Sequence, residues 1–137
     1  MTVEKVDYAH LNGRQKENYN FHKIAARLAD YGYTSMRLSD DFQGADFIAL
    51  HIDGETFLRV QLKARLTFVK HYDGKGLHIA FREGDAVYLY PHDGLRQRLF
   101  AEGFAERSRS EAWTVDGTRS WPSIPKKMRV ILEEYSI

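Results

Sequence analysis

The sequence predicts an α/β fold in which a central mixed sheet of about five strands carries helices on both faces, with residues 1–137 as one domain. Three observations support this prediction. A helical apolar stripe near the start precedes several strand-like runs, two of these runs are joined by a tight-turn signal, and a second helical stripe closes the chain. The length of 137 residues suits one domain with its own core.

Composition narrows the functional classes. The sequence contains no cysteine, which excludes disulfides, zinc ribbons and thiol catalysis. It shows no apolar run long enough to cross a membrane and no basic-then-apolar signal segment, so we expect a cytoplasmic protein without membrane contact. Residues 1–58 carry a net charge of −3, whereas residues 59–75 carry a net charge of +4. A basic block beside an acidic one suits a polyanion held by a metal ion, and a solvated charged face is the alternative.

The first predicted helix covers residues 13–31 and ends at Gly32. Its apolar stripe follows i, i+3, i+4, i+7 spacing and consists of Phe21, Ile24, Ala25 and Leu28. Glu17 lies on the same stripe. Because burying an unpaired charge is costly, this carboxylate needs a cation or a metal as partner, unless it lies at the rim facing water or the helix dipole.

The next segments predict a strand and then a hairpin. Residues 33–38 form the first strand, and a polar loop follows over residues 39–44. Two further strands, residues 45–52 and 55–65, are joined by Asp53-Gly54, a dipeptide typical of a two-residue hairpin loop. The hairpin therefore has a defined register.

That register gathers three polar side chains. With a two-residue loop, Ile52 faces Glu55 and Asp46 faces Gln61, and cross-strand partners point to the same side of a sheet. Lys63 lies two residues beyond Gln61 and shares that side. The other face of the second strand is apolar and consists of Leu58, Val60, Leu62 and Ala64. A carboxylate, an amide oxygen and an ammonium group thus meet on one patch, whereas a polar strand face turned to water is the alternative.

The middle of the chain predicts a loop, two strands and a helix. Residues 66–76 form a basic, irregular loop whose glycines suggest mobility. Residues 77–81 and 86–90 are two apolar strands. A helix over residues 94–102 follows, with Asp93 as its N-cap.

The last part of the chain predicts a short strand over residues 112–115 and a final helix. Ser123 is the predicted N-cap of this helix, and Pro125 falls in its first turn. Its buried stripe consists of Met128, Ile131, Leu132 and Tyr135.

The order Asp46, a turn, then Gln61-x-Lys63 on the next strand resembles the PD-(D/E)XK nuclease superfamily, in its variant with Gln in place of the acidic residue. Such variants occur among some homing endonucleases and small bacterial nucleases. The resemblance covers about residues 13–102 and implies a helix, a central mixed sheet and a helix on the far side. In this family the helix before the first strand often contributes a Glu to the metal site, and Glu17 matches that position by its place.

The resemblance implies a metal-dependent DNA endonuclease that uses Mg²⁺, with Mn²⁺ as a possible substitute. It assigns Asp46 as the central metal ligand, joined by the side-chain oxygen of Gln61 and the backbone carbonyl of Leu62. Glu17 would bind a second metal or a metal-bound water. Lys63 would orient or deprotonate the attacking water, or stabilise developing charge.

The resemblance also implies contacts with DNA and leaves one alternative open. Phosphates next to the cut would be held by the basic side chains Arg59, Arg65, Lys70 and Lys75. A homodimer or higher oligomer is expected, because cutting two strands needs two sites. Since Gln61 is neutral, the alternative is a catalytically inactive module on the same fold that binds nucleic acid or another partner.

Overall fold

The computed structural model describes residues 1–104, 113 and 115–137. Its helices are α1 (Gly13–Ala29), α2 (His92–Ala101) and α3 (Lys126–Leu132). The start of α1 is fixed by a capping box: the Asn12 side chain accepts from the backbone N–H of Gln15, and the Gln15 side chain accepts from the backbone N–H of Asn12. The first helix thus begins where the sequence predicts.

The strands form a mixed sheet and a small separate ladder. They are β1 (Tyr33–Phe42), β2 (Ala45–His51), β3 (Phe57–Leu62), β4 (Thr67–Val69), β5 (Leu77–Glu83), β6 (Ala86–Pro91) and β7 (Thr118–Ser120). Five of them make one sheet in the order β1-β2-β3-β5-β6, while β4 pairs with β7. β3 and β5 run parallel, and the other neighbours in the sheet run antiparallel. The α/β class with a five-stranded mixed sheet is therefore confirmed.

Helices cover both faces of the sheet, as predicted. On one face, α1 packs on a core made of Phe21, Ile24, Leu28, Phe47, Ala49, Val60, Leu62, Ala80 and Val87. On the other face, α2 and α3 pack on a core that includes Ile79, Phe81, Tyr88, Tyr90, Leu95, Leu99, Met128, Ile131 and Leu132. Since these side chains are nearly all withdrawn from water, the two layers fix the positions of the strand ends that carry the candidate site.

The hairpin of β2 and β3 has the predicted register. Phe47 lies opposite Val60, and continuing the ladder by one residue sets Asp46 beside Gln61. The alternation is also as predicted, because the side chains of Val60 and Leu62 are buried against α1.

The predicted two-residue loop of this hairpin is wrong. The His51 N–H donates to the Thr56 carbonyl, and a wider loop replaces the predicted pair Ile52 and Glu55. The reason is the Asp53 carboxylate, which accepts from the backbone N–H groups of Glu55 and Thr56 and from the Thr56 hydroxyl at 2.6–2.8 Å. This Asx-type bonding holds a broader turn without changing the register.

The first strand is longer than predicted. β1 continues through most of the predicted loop 39–44 as far as Phe42, which pairs with Ala45. A register shift between Arg37 and Phe42 absorbs the extra residues as a bulge. The chain then turns at Gln43 and Gly44, where the positive φ of Gly44, 89°, suits glycine.

Two predicted N-caps are wrong. α2 begins after Pro91, and Asp93 instead accepts hydrogen bonds from the His92 ring and from the Gly74 N–H. α3 begins after Pro125 with no side-chain cap, so Ser123 does not cap it. In both helices a proline with extended ψ ends the preceding segment.

The crossover over residues 63–76 joins the parallel strands β3 and β5. The sequence predicts an irregular loop here, whereas the structure shows β4 and a 3₁₀ turn, Lys70–Tyr72. β4 forms because β7, about fifty residues later in the chain, supplies its hydrogen-bond partners.

The C-terminal predictions have different outcomes. Met128, Ile131 and Leu132 are buried as predicted, while Tyr135 is half-buried in a terminal 3₁₀ turn. The predicted strand 112–115 falls in part on residues 112 and 114, which lie outside the described residues. Within the described chain, no helix combines the length and apolar character that a membrane span requires.

Candidate active site

A cleft of about 450 Å³ opens where the first half of α1 meets the ends of β2 and β3. It is lined by Tyr8, Gly13, Lys16, Glu17, Asn20, Asp46, Gln61, Leu62, Lys63 and Ala64. This surface is called the α1–β3 cleft below. The structure therefore brings together Glu17, Asp46, Gln61, Leu62 and Lys63, which are all the residues to which the resemblance assigns catalysis and metal binding.

Asp46 sits where β2 and β3 stop pairing. The ladder between the two strands ends at Phe47 and Val60, and at the next position the Asp46 Oδ2 accepts from the Leu62 N–H at 2.8 Å. β3 itself continues alongside β5, since the Lys63 N–H donates to the Ala80 carbonyl. The carboxylate thus takes the place of a ladder bond and is held at the mouth of the gap between the strands.

The electrostatics of the cleft disfavour a charged Asp46. Burial raises the pKa of the Asp46 carboxyl, which the hydrogen bond from the Leu62 N–H opposes. The Glu17 carboxylate raises this pKa further, while Lys63 and Arg37 lower it. A half-buried carboxylate that faces a second carboxylate is stabilised by a cation in the same cleft.

Glu17 has a partner that the sequence does not reveal. Its Oε1 lies 3.3 Å from the Nη2 of Arg37 on β1, and its side chain is 54% exposed. Arg37 also donates to the Asn18 side chain and lies over the Phe21 ring at 5.1 Å. Glu17 therefore lies at the rim of the cleft and pairs with a cation. Both outcomes are among those predicted for a carboxylate on the apolar stripe of α1. Arg37 is missed by sequence reasoning because its contact depends on how α1 crosses β1.

Gln61 and the Leu62 carbonyl lie side by side. The Gln61 Nε2 donates to the Leu62 carbonyl at 3.3 Å, which turns the amide nitrogen toward that oxygen. The two ends of an amide are exchanged by a simple flip, so Gln61 can offer either its oxygen or its nitrogen.

Lys63 lines the cleft, and its ammonium group lies against an aromatic ring. Its Nζ lies 5.4 Å from the centre of the Tyr72 ring. None of the ion pairs among the described residues involves Lys63. Tyr72 belongs to the 3₁₀ turn of the crossover, so this segment helps to set the position of the ammonium group. This ammonium group, which lowers the pKa of Asp46, can interact with a water molecule or an anionic substrate.

The four predicted phosphate-binding residues do not line the cleft. Arg59 lies over the rings of Phe42 and Phe57 and donates to the Lys75 carbonyl at 3.3 Å. Lys75 contacts the His71 ring, Lys70 lies over the Trp113 ring, and Arg65 is exposed. They belong to β3 and to the crossover that follows it.

A second group of possible metal ligands was not predicted. Ligand atoms of Asp73, His92 and Asp93 lie within 4.8 Å of one another. The fully buried His92 ring accepts from the Val69 N–H through Nε2, so Nδ1 carries the proton and donates to Asp93 at 2.7 Å. Asp73 in turn accepts from Arg96 at 2.9 Å. A metal at Nδ1 would require a doubly deprotonated ring, so these hydrogen bonds fit a structural role that fastens the crossover to α2.

The donor set of the α1–β3 cleft fits Mg²⁺ or Mn²⁺. Such ions prefer oxygen ligands and keep several waters, so few protein ligands suffice. Asp46 and Glu17 offer carboxylates, and Gln61 and Leu62 offer an amide and a carbonyl oxygen. The Leu62 N–H occupies one oxygen of Asp46 and orients the other, as supporting hydrogen bonds do around metal ligands.

Comparison with known proteins gives no relative for this chain. No protein-family model matches it, and neither a curated protein nor a solved structure matches it.

Proposed function

We propose that this protein is a metal-dependent DNA endonuclease of the PD-(D/E)XK type, with Gln61 in place of the usual acidic residue. The observation that carries the proposal is the convergence of Glu17, Asp46, Gln61 and Lys63, from one helix and two strands, on a single cleft. The raised pKa of Asp46 supports it, because shifted carboxyl groups in clefts mark functional sites more often than surface carboxylates do.

Each residue has a defined task in this proposal. When bound, Mg²⁺ supplies neutralisation of the phosphate and a nucleophilic water at neutral pH. Asp46, Gln61 and the Leu62 carbonyl would hold the ion, and Glu17 would bind a second ion or a metal-bound water. Lys63, whose ammonium group has no carboxylate partner among the described ion pairs, orients the attacking water or stabilises the charge that develops on the phosphate.

The direct test is a cleavage assay on four DNA substrates: supercoiled plasmid, linear duplex, single strand and four-way junction. Each is incubated with the protein in Mg²⁺, Mn²⁺ or EDTA. We expect cleavage that requires the metal, and the preferred substrate indicates the biological role. Failure to cut any of the four substrates, in a folded protein, would contradict the proposal.

Two lysine variants make the assay specific. Lys63→Ala should reduce cleavage by about 10²–10⁴-fold, the range for loss of a proton-transfer or charge-stabilising group. Lys127→Ala is the matched control, because Lys127 is exposed on α3, which packs on the opposite face of the sheet. Equal activity of both variants would show that Lys63 has no part in the reaction.

A catalytically inactive nucleic-acid-binding module is the second candidate, and one observation favours it. The Glu17 carboxylate already pairs with Arg37, and Lys16 and Lys63 also line the cleft, so its two carboxylates have cations nearby without a metal. Asp46→Ala separates the candidates. Metal binding that is lost in Asp46→Ala supports the enzyme, whereas a wild-type protein that binds DNA and takes up no Mg²⁺ supports the module.

A further inference from the structure

Two tyrosines and three cations form a continuous surface beside the α1–β3 cleft. This tyrosine surface consists of Tyr8, Lys16, Tyr19, Lys23 and Arg82. The rings of Tyr8 and Tyr19 lie 5.2 Å apart at a tilt of 59°. The Arg82 guanidinium lies over both rings, at 5.4 and 5.0 Å from their centres. Aromatic rings interleaved with cations suit a ligand that carries both flat bases and phosphates.

The tyrosine surface is continuous with the candidate active site. It borders a second cavity of about 360 Å³, and Tyr8, Asn20 and Lys63 line both this cavity and the cleft. A strand lying along the tyrosine surface would therefore pass Lys63 as it enters the cleft.

Hydrogen bonds hold this surface in place. The Asn20 Nδ2 donates to the Tyr8 hydroxyl at 3.0 Å, and the Asn20 Oδ1 accepts from the Arg82 Nε at 2.9 Å. Arg82 also donates to the Gly84 carbonyl at 2.8 Å. Tyr8 is nevertheless 36% exposed, so its ring is both positioned and accessible. A positioned aromatic ring loses little conformational entropy when a ligand stacks on it.

The cations of this surface keep their charge available. Arg82 donates to a side-chain amide and a backbone carbonyl, which are neutral acceptors. Among the described ion pairs, none involves Lys16, Lys23, Lys63 or Arg82. By contrast, Arg96, Arg98 and Arg129 are each paired with a carboxylate. Positive charge that is not held in an ion pair, beside aromatic rings, attracts a polyanion.

We propose that the tyrosine surface binds a single-stranded segment of nucleic acid, with bases stacked on Tyr8 and Tyr19 and phosphates held by Lys16, Lys63 and Arg82. Unpaired bases are required because the faces of paired bases are already stacked within a duplex. Stacking of a base on an aromatic ring is stronger than an exposed cation–π contact, so a base can displace the flexible Lys16 from the Tyr8 ring.

The preferred substrate follows from this placement, and this step rests on the proposed nuclease function. In this arrangement an unpaired strand lies on the tyrosine surface and continues into the cleft to Asp46. The matching substrate is DNA with a single-stranded tail or branch beside the bond that is cut. Such a substrate should be cleaved faster than a fully paired duplex.

Binding is tested separately from cleavage, by fluorescence anisotropy in EDTA. The labelled probes are dT20, rU20, a blunt 20-base-pair duplex and the same duplex with a dT10 tail. We expect dT20 and the tailed duplex to bind tighter than the blunt duplex. If rU20 binds as tightly as dT20, the contact involves bases and phosphates alone. If rU20 binds more weakly than dT20, the ligand is DNA. Both results support the proposal. Binding of the blunt duplex as tight as that of dT20 would overturn it.

Three tyrosine variants test whether a base stacks on Tyr8. Tyr8→Ala should weaken dT20 binding by about 5- to 150-fold, the loss of one stacked base. Tyr8→Phe keeps the ring and should retain most of the affinity, while Tyr31→Ala, at a tyrosine that is 51% exposed beyond the end of α1, should have no effect. Equal affinity of wild type and Tyr8→Ala, with unchanged circular dichroism, would overturn the proposal.

The two proposals fail in different ways. Tight dT20 binding without cleavage of any substrate in Mg²⁺ leaves the single-strand site standing and refutes the nuclease. Metal-dependent cleavage that treats blunt and tailed duplexes alike, with no affinity for dT20, refutes the single-strand site and leaves the nuclease standing.

Discussion

Asp46 has two separable roles, and a pair of substitutions divides them. Asp46→Asn keeps an oxygen that can accept the Leu62 N–H and removes the charge, whereas Asp46→Ala removes both. Leu62 is buried, so in the alanine variant its N–H loses its protein acceptor. An unsatisfied buried donor costs about 1–3 kcal/mol, and because the cleft can admit a water molecule we expect about 1–2 kcal/mol.

The expected difference is measurable as a change in melting temperature. For 137 residues, a loss of 1 kcal/mol lowers Tm by about 3–4 °C. Asp46→Ala should therefore melt about 3–8 °C below Asp46→Asn, as measured by differential scanning calorimetry. Both variants should lose metal-dependent cleavage. A matching pair at the exposed Asp40, with Asn and Ala, should differ by less than about 0.5 kcal/mol.

The pH dependence gives this reasoning an independent check. The pKa of Asp46 is raised in the folded state, so the unfolded chain releases this proton at lower pH than the folded chain does. Ionisation of Asp46 is therefore less favourable in the folded state than in the unfolded chain. The wild-type protein loses stability as pH rises from below about 4 through the pKa that Asp46 has in the folded state. As pH rises over this range, the Tm of Asp46→Asn should rise relative to the Tm of the wild-type protein. Identical Tm values for the Asn and Ala variants, and no such gain, would refute the assigned roles of Asp46.

Three further predictions concern the surroundings of the cleft. Arg37→Met removes the cation paired with Glu17. Because this removes roughly 1 kcal/mol of repulsion between Arg37 and a bound Mg²⁺, the Mg²⁺ concentration that gives a half-maximal rise in Tm should fall about fivefold. An increase in this concentration would contradict the pairing. His92→Ala leaves the Val69 N–H without its acceptor and opens a cavity, so urea denaturation should show a loss of about 2–4 kcal/mol, with metal-dependent cleavage retained. If cleavage vanished, the structural role of His92 would be refuted. Hydrogen bonds from Thr56 and Glu55 hold the pKa of Asp53 well below its usual range, so its stabilisation is present above about pH 4 and lost as pH falls. Thermal melts from pH 7 to pH 2 should fall less steeply for Asp53→Asn than for wild type.

Features set by local signals could be predicted from the sequence. The helical stripe of α1 and the alternation of β3 each follow from short-range periodicity, and both lie as predicted. The register of the hairpin was also predictable, because a shift by one residue would turn Val60 and Leu62 out of the core. This register brings Asp46 beside Gln61 even though the loop itself is wider than Asp53-Gly54 suggests.

Features set by distant contacts could not be predicted. The crossover strand β4 depends on β7, and its 3₁₀ turn is fastened to α2 through His92, so no local pattern reveals either. Arg37 reaches Glu17 because α1 lies across β1, and Tyr8 reaches Arg82 because the N-terminal turn packs near β5. Individual side chains of the cleft were predictable, whereas their partners were not.

The charges around the cleft bear on both of its proposed functions. Asp46 and Glu17 bring two carboxylates to the cleft, Lys16 and Lys63 line it as cations, and Arg37 pairs with Glu17 from β1. A metal ion bound without substrate would compete with Arg37 for Glu17, which would lower its net affinity. A phosphate bound together with the ion would offer Arg37 another anionic partner, so each of the two ligands would favour the binding of the other. The neutral Gln61 strengthens this dependence, because the cleft has less negative charge to hold a cation without substrate.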